Sequence, residues 1–106
     1  MVISVEHSLD QQEAKRKIDN LLNQLTLKDF PGGVKIKNPE KSWGGNTMNF
    51  SFKAKRGLLG VTISGNIQMQ PGKVTLTSKL PGMVTSFVSE EKIKEVIEKE
   101  AKDLLK

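Results

Sequence analysis

Residues 48–80, MNFSFKAKRGLLGVTISGNIQMQPGKVTLTSKL, decide the fold, because their polarity alternates with a period of two. Met48, Phe50, Phe52 and Ala54 alternate with Asn49, Ser51, Lys53 and Lys55. Leu59, Val61, Ile63, Ile67 and Met69 alternate with Thr62, Ser64, Asn66 and Gln68. Successive side chains of a strand point to opposite faces, so this pattern marks strands with one face buried and one in water. Two turn dipeptides cut the run into hairpins. With Arg56-Gly57 as a two-residue turn, Ala54 pairs with Leu59, Phe52 with Val61 and Phe50 with Ile63. With Pro71-Gly72 inside the loop 70–73, Met69 faces Val74, Ile67 faces Leu76 and Gly65 faces Ser78. A slip of one residue would turn every apolar set to solvent. The small residues at Gly65 and Ser78 leave a shallow place for a covering helix.

Working outward, Val34 and Ile36 supply a further strand, joined to Met48 through a loop over 38–45. Near the N-terminus Ile3 and Val5 share one face of a short strand, 2–6. A helix follows, with Ser8 as its expected cap and Gln11 at the capping-box spacing. Ala14, Ile18, Leu21, Leu22 and Leu25 form its apolar stripe, and Asp29, Pro31, Gly32 and Gly33 mark the exit. After Leu80-Pro81-Gly82 the period returns to helical, with Ile93, Val96, Ile97, Ala101 and Leu104 on one face and Ser89 as N-cap. Glu90–Lys94, Glu95–Lys99 and Glu98–Lys102 have the spacing of i,i+4 ion pairs. Met83, Val84, Phe87 and Val88 fit either an earlier turn of that helix or a bent approach to it. The expected architecture is one α+β domain over 1–106, a two-layer sandwich of order β-α-β-β-β-β-α. Its antiparallel sheet has four to five strands and two helices on one face.

Composition narrows the chemistry. The 106 residues include no cysteine and one histidine, which excludes disulfides, thiolate metal sites, cysteine nucleophiles and imidazole clusters. No cofactor or metal site is expected, and no nucleophile–base pair marks an enzyme. The first ten residues lack a basic region and a long apolar run, and no apolar stretch reaches the roughly 18 residues of a membrane span. The expected address is therefore cytoplasmic. The net charge of +5 is concentrated in the middle: residues 28–79 hold nine basic side chains against Asp29 and Glu40, a local +7.

Strand parity gives that charge a direction. If Val34, Ile36, Phe50, Phe52, Ala54, Val74 and Leu76 point to the helices, then Lys35, Lys37, Lys53, Lys55, Lys73 and Lys79 point away. The open face then carries six lysines among serines, threonines and asparagines, a surface that attracts anionic partners. It offers no aromatic for base stacking and no arginine fork, which weighs against nucleic acid. Lysines also keep exposed strands from pairing edge to edge, and a solvated face is the plainer reading.

Other singular residues read more simply as structure. His7, at a strand-to-helix junction with the parity of Val5, is a candidate polar functional position. Without a third group to orient it, a histidine hydrogen-bonded to backbone is the plainer reading. The glycines of 56–60 and 43–46 match no phosphate-binding fingerprint and read as turns. Trp43 fits the closing of one end of the core better than an exposed recognition site.

The opening Ile3-Ser-Val-Glu-His7-Ser-Leu9 with Glu13-Ala14, the segment Trp43-x-x-Asn46-x-Met48-x-Phe50, Gly57-Leu-Leu-Gly60, the strand ending Leu80-Pro81 and the closing amphipathic helix together resemble a family. It is that of the putative polyhydroxyalkanoic acid system proteins. The resemblance implies a small bacterial cytoplasmic protein linked to polyester-granule genes, and it brings no catalytic residues. The leading expectation is a non-enzymatic accessory or binding domain, its partner a granule surface or another protein. Nucleic-acid or other polyanion binding through the lysine face, and carriage of a small apolar ligand under the last helix, are the alternatives. Oligomeric state is not legible.

Overall fold

The computed structural model describes residues 1–106. Five strands, β1 (Val2–Glu6), β2 (Lys35–Gly44), β3 (Thr47–Arg56), β4 (Leu59–Gln70) and β5 (Lys73–Ser78), form one antiparallel sheet in the order β1-β5-β4-β3-β2. Helices α1 (Gln11–Ile18), α2 (Leu21–Leu25), α3 (Gly82–Thr85) and α4 (Glu90–Leu104) complete the chain, with a 3₁₀ turn at Pro31–Gly33. The helical stripes and one sheet face merge in a single apolar core. Directly paired residues share a face, so the rung Trp43–Met48–Ile67–Leu76–Ile3 runs across all five strands on the core side. The expected two-layer α+β fold is what the chain adopts.

The β4–β5 hairpin has the expected register, with Met69 opposite Val74, Ile67 opposite Leu76 and Gly65 opposite Ser78. Gly72 takes φ 74° behind Pro71, as a type II turn requires. The β3–β4 hairpin keeps the expected parity but is displaced by two residues. Its turn is Gly57-Leu58, and Ala54 faces Val61, Phe52 faces Ile63 and Phe50 faces Gly65. Alternation cannot separate registers that differ by two, and backbone conformation decides. Glycine first in the turn supplies φ 61°, as a type II′ hairpin needs.

Phe50 therefore covers the gap at Gly65, in place of the expected helix. A Cβ on Gly65 would lie 2.9 Å from Phe50 Cζ and 2.3 Å from the Thr77 carbonyl oxygen. Ser78, buried beside it, donates its hydroxyl to the Ser64 carbonyl at 2.9 Å.

Of the expected loop over 38–45, residues 38–44 are strand and Gly45 opens the turn into β3. Lys37 pairs with Lys53 and Glu40 with Ser51, so Asn38 and Pro39 together oppose one residue, a β-bulge. Asn38 adopts φ 52°, and Pro39 has no N–H to contribute; both suit an edge strand. The extra residue inverts parity, turning Ile36 inward before the bulge and Lys41 and Trp43 toward the core side after it.

Asp10, not Ser8, caps α1, accepting the Glu13 N–H at 2.8 Å. The stripe Ala14, Ile18, Leu21, Leu22 and Leu25 is buried as expected, on a helix interrupted between Ile18 and Leu21. Ser89 caps α4, accepting from the Lys92 N–H, and α3 stands apart as a single turn. Of the three anticipated i,i+4 pairs on α4, Glu98–Lys102 forms, at 3.0 Å. Lys99 instead reaches Asp103, at 3.5 Å.

Candidate functional site

The open face is built by the parity of five strands. Two rungs near the β3–β4 turn carry lysine against lysine: Lys35 opposite Lys55, and Lys37 opposite Lys53. Like charges directly opposite on one face repel, so the fold tolerates this quartet rather than gaining from it. Asp29, itself exposed, reaches Lys35 at 3.5 Å. Lys37, Lys53 and Lys55 have no carboxylate at ion-pairing distance. Glu40 occupies the next rung on the same face, opposite Ser51.

The register brings four of the six expected lysines together and sets Lys73 apart. Lys73 stands opposite Glu6 and Gln70, eight residues along β4 from Thr62, about 26 Å at 3.3 Å per residue. Lys79 lies one residue past the end of β5. Between these extremes the face is lined by Ser42, Asn49, Ser51, Ser64, Asn66 and Thr77. A shallow polar depression over the bulge runs from Asn38 and Glu40 to Lys53 and Thr62.

Basic residues on the core side are engaged otherwise. Trp43 Nε1 donates to Asp19 Oδ1 at 2.8 Å, and Lys41 Nζ approaches the same oxygen at 3.0 Å while also donating to the Asp19 carbonyl. Lys15 lies 4.8 Å from the Trp43 ring centroid and donates to the Gly45 carbonyl at 2.8 Å. The hydrogen bond from Trp43, then that from Lys41, hold the Asp19 carboxyl below the usual carboxylate range against a smaller opposing effect of burial. Trp43 thus closes the core, and Asp19, placed where the first helix breaks, is the acceptor that binds it.

His7 is half-buried. Its Nδ1 accepts the Leu9 N–H at 3.2 Å and the His7 backbone N–H donates to the Gly72 carbonyl at 3.0 Å. Nε2 is buried without a partner. No acid or nucleophile hydrogen-bonds to its side chain. No group of three His, Cys, Asp or Glu side chains converges anywhere in the fold. The apolar space between sheet, α3 and α4, bounded by Phe30, Phe52, Ile63, Leu80, Ile93 and Ile97 among others, measures about 20 Å³. That is well short of the roughly 300 Å³ of a small-molecule site.

Two features of the surface escaped the sequence. Glu100 is 8% exposed on α4 and pairs with Lys28 at 3.1 Å. Leu58 is fully exposed at the tip of the β3–β4 hairpin. Only spatial neighbours distinguish either residue from its sequence context.

Fold and surface together define a small α+β domain with an open antiparallel sheet, helices on one face and a hydroxyl- and lysine-bearing other face. The chain belongs to the family described as Putative polyhydroxyalkanoic acid system protein, whose model matches residues 1–105. No curated protein and no solved structure shows significant similarity to the chain. No helix is long and apolar enough to cross a membrane.

Proposed function

We propose that this chain is a non-catalytic accessory protein of a polyhydroxyalkanoate system that docks on an anionic granule surface through Lys35, Lys37, Lys53 and Lys55. The observation that carries the reading is the pair of lysine–lysine rungs in register on an open sheet face. A surface that repels itself in the free protein is relieved when a polyanion covers it, and the same charges steer encounter. The family description supports the setting, and the lysines supply the chemistry. Lys73 is outside the site, because the register removes it from the quartet, and Lys79 lies past the last paired residue of β5 and belongs to neither lysine rung.

The test compares the parent with a variant carrying Lys35→Gln, Lys37→Gln, Lys53→Gln and Lys55→Gln. Both are assayed for retention on heparin and for co-sedimentation with polyhydroxyalkanoate particles at low and high salt. The parent is expected to bind at low salt and release at high salt, and the variant to bind neither support. Thermal unfolding of the two should agree to within a few degrees, since exposed charges contribute little to stability. Absence of parent binding to both supports at low salt would overturn the proposal. Binding that survives in the four-site variant would move the site elsewhere and overturn it equally.

A further inference from the structure

The geometry points to a second element at the same end of the molecule: the β3–β4 tip, with α3 beside it, inserts into an anionic lipid interface. This inference rests on the surface-docking reading above and extends it by naming the interface and the residues that enter it. Its starting point is Leu58. The turn requires its special conformation at Gly57, where φ is 61°, and asks nothing apolar of the next position. Leu58 nevertheless stands there fully exposed, with Leu59 half-exposed after it. Met83 and Phe87, around α3, are each more than a third exposed and line one shallow cleft with Leu59. Exposed apolar side chains are ordinary when scattered; four gathered at one extremity are not.

The tip is also held firmly. Arg56 donates from Nε to the Gly32 carbonyl at 2.8 Å, and its guanidinium lies 4.3 Å from the Phe87 ring centroid. Gly32 packs so closely on this region that a Cβ there would come 2.9 Å from the Phe87 carbonyl oxygen. The hairpin and α3 therefore present their apolar groups as one piece.

Charge complementarity selects the occupant. Lys55 precedes Leu58 by three residues, about 10 Å along the strand, and Lys35 stands beside it; Lys53 and Lys37 lie roughly 7 Å further. An apolar element at a lipid interface sinks about 5–10 Å. At that depth Leu58 and Leu59 reach the acyl boundary, while Lys35 and Lys55 come level with the headgroups. A protein groove would have no need of the cations, and a nucleic acid none of Leu58.

Sedimentation with vesicles tests this, using equimolar phosphatidylglycerol and phosphatidylcholine against phosphatidylcholine alone. The parent should bind the anionic vesicles and leave the neutral ones. Leu58→Ser should weaken that binding by about tenfold or more, because burial of one leucine is lost. Its retention on heparin should stay unchanged, since the lysines remain. Leu58 touches nothing, so the variant's unfolding temperature should match the parent's. Leu58→Trp should show a blue-shifted emission with anionic vesicles once the Trp43 signal of the parent is subtracted. Equal vesicle binding by parent and Leu58→Ser would overturn insertion. Failure of the parent to bind anionic vesicles, with heparin or polyester binding intact, would overturn it while leaving the docking proposal standing. Loss of all three would remove both.

Discussion

The two faces of the sheet treat their polar groups differently. On the core side Trp43 and Lys41 converge on Asp19, and Ser78 reaches the Ser64 carbonyl. On the open side lysine stands against lysine in two successive open-face rungs, with Asp29 beside one of them. Burial explains the first arrangement, because a polar group withdrawn from water must find a partner or cost stability. Water explains why the second is tolerated, since exposed charges are screened. Core-side geometry is thus fixed by the needs of folding, whereas the lysine rungs serve no need of the isolated fold. Substitutions on the two faces should therefore differ in size and even in sign.

The largest effect is expected at Gly65, where the core side has no tolerance. Its Cβ would meet the Thr77 carbonyl oxygen at 2.3 Å and the Phe50 ring at 2.9 Å, and the first of these is backbone. Gly65→Ala should destabilise by roughly 2–3 kcal/mol, the scale of core overpacking. For a domain of this length that lowers the unfolding temperature by about 10–20 °C. Calorimetry on the variant checks it. An unchanged unfolding temperature would mean that the strands are not packed as tightly as the core-side argument requires.

Much of this difference between faces was legible beforehand, and the failures have identifiable causes. Parity survives any even shift in register, so the division into core and open faces was readable from Met48–Ala54 and Leu59–Met69 alone. The β3–β4 register was not, because pairing Phe52 with Val61 or with Ile63 matches apolar to apolar equally well. Only the requirement for positive φ at the first turn position separates them. Segment 38–45 read as loop because the bulge at Asn38-Pro39 breaks the alternation, inverting it between Ile36 and Trp43. The lysines were readable as a face but not as a quartet, since Lys73 shares the parity and separates only in the register, and Lys79 falls past the last paired residue of β5. Nothing in the helical pattern of α4 marks Glu100, and its salt bridge to Lys28 depends on a contact 72 residues away in sequence.

An intermediate effect is expected at Asp19, the acceptor shared by Trp43 and Lys41. Asp19→Asn retains a carbonyl oxygen for Trp43 but loses the charge opposite Lys41. The side chain is partly exposed, so the loss near neutral pH should be modest, up to about 1 kcal/mol. The sign with pH is definite. The carboxyl's pKa is depressed in the folded state, so its contribution is complete above the ordinary carboxylate value near 3.9. It is lost as pH falls through the lower folded value. Unfolding followed from neutral to acid pH should show parent and Asp19→Asn converging below about pH 4. A gap that stays constant into acid would mean that the carboxylate's charge contributes nothing.

The smallest expected change has the opposite sign and falls on the open face. Lys55 stands opposite Lys35, two positions along β3 from Lys53 and diagonal to Lys37, and has no acid of its own. Lys55→Glu replaces a repulsive rung by an attractive one at a site where the side chain is exposed. Cross-strand pairs are worth about 0.2–1 kcal/mol, so the variant should be more stable than the parent by a few tenths of a kcal/mol. Salt separates this cause from any change in strand propensity. Screening relieves repulsion in the parent and weakens attraction in the variant, so rising salt should narrow the difference. Chemical denaturation with urea, which leaves ionic strength free to vary, measures both quantities. Binding should move against stability: the same variant loses two units of positive charge from the quartet and should leave heparin at lower salt than the parent. A substitution that makes the fold firmer and its docking weaker is what the contrast between faces requires. A stability that falls with Lys55→Glu at every salt concentration would show that the lysine rungs serve the fold, and would remove the reason for assigning them to a partner.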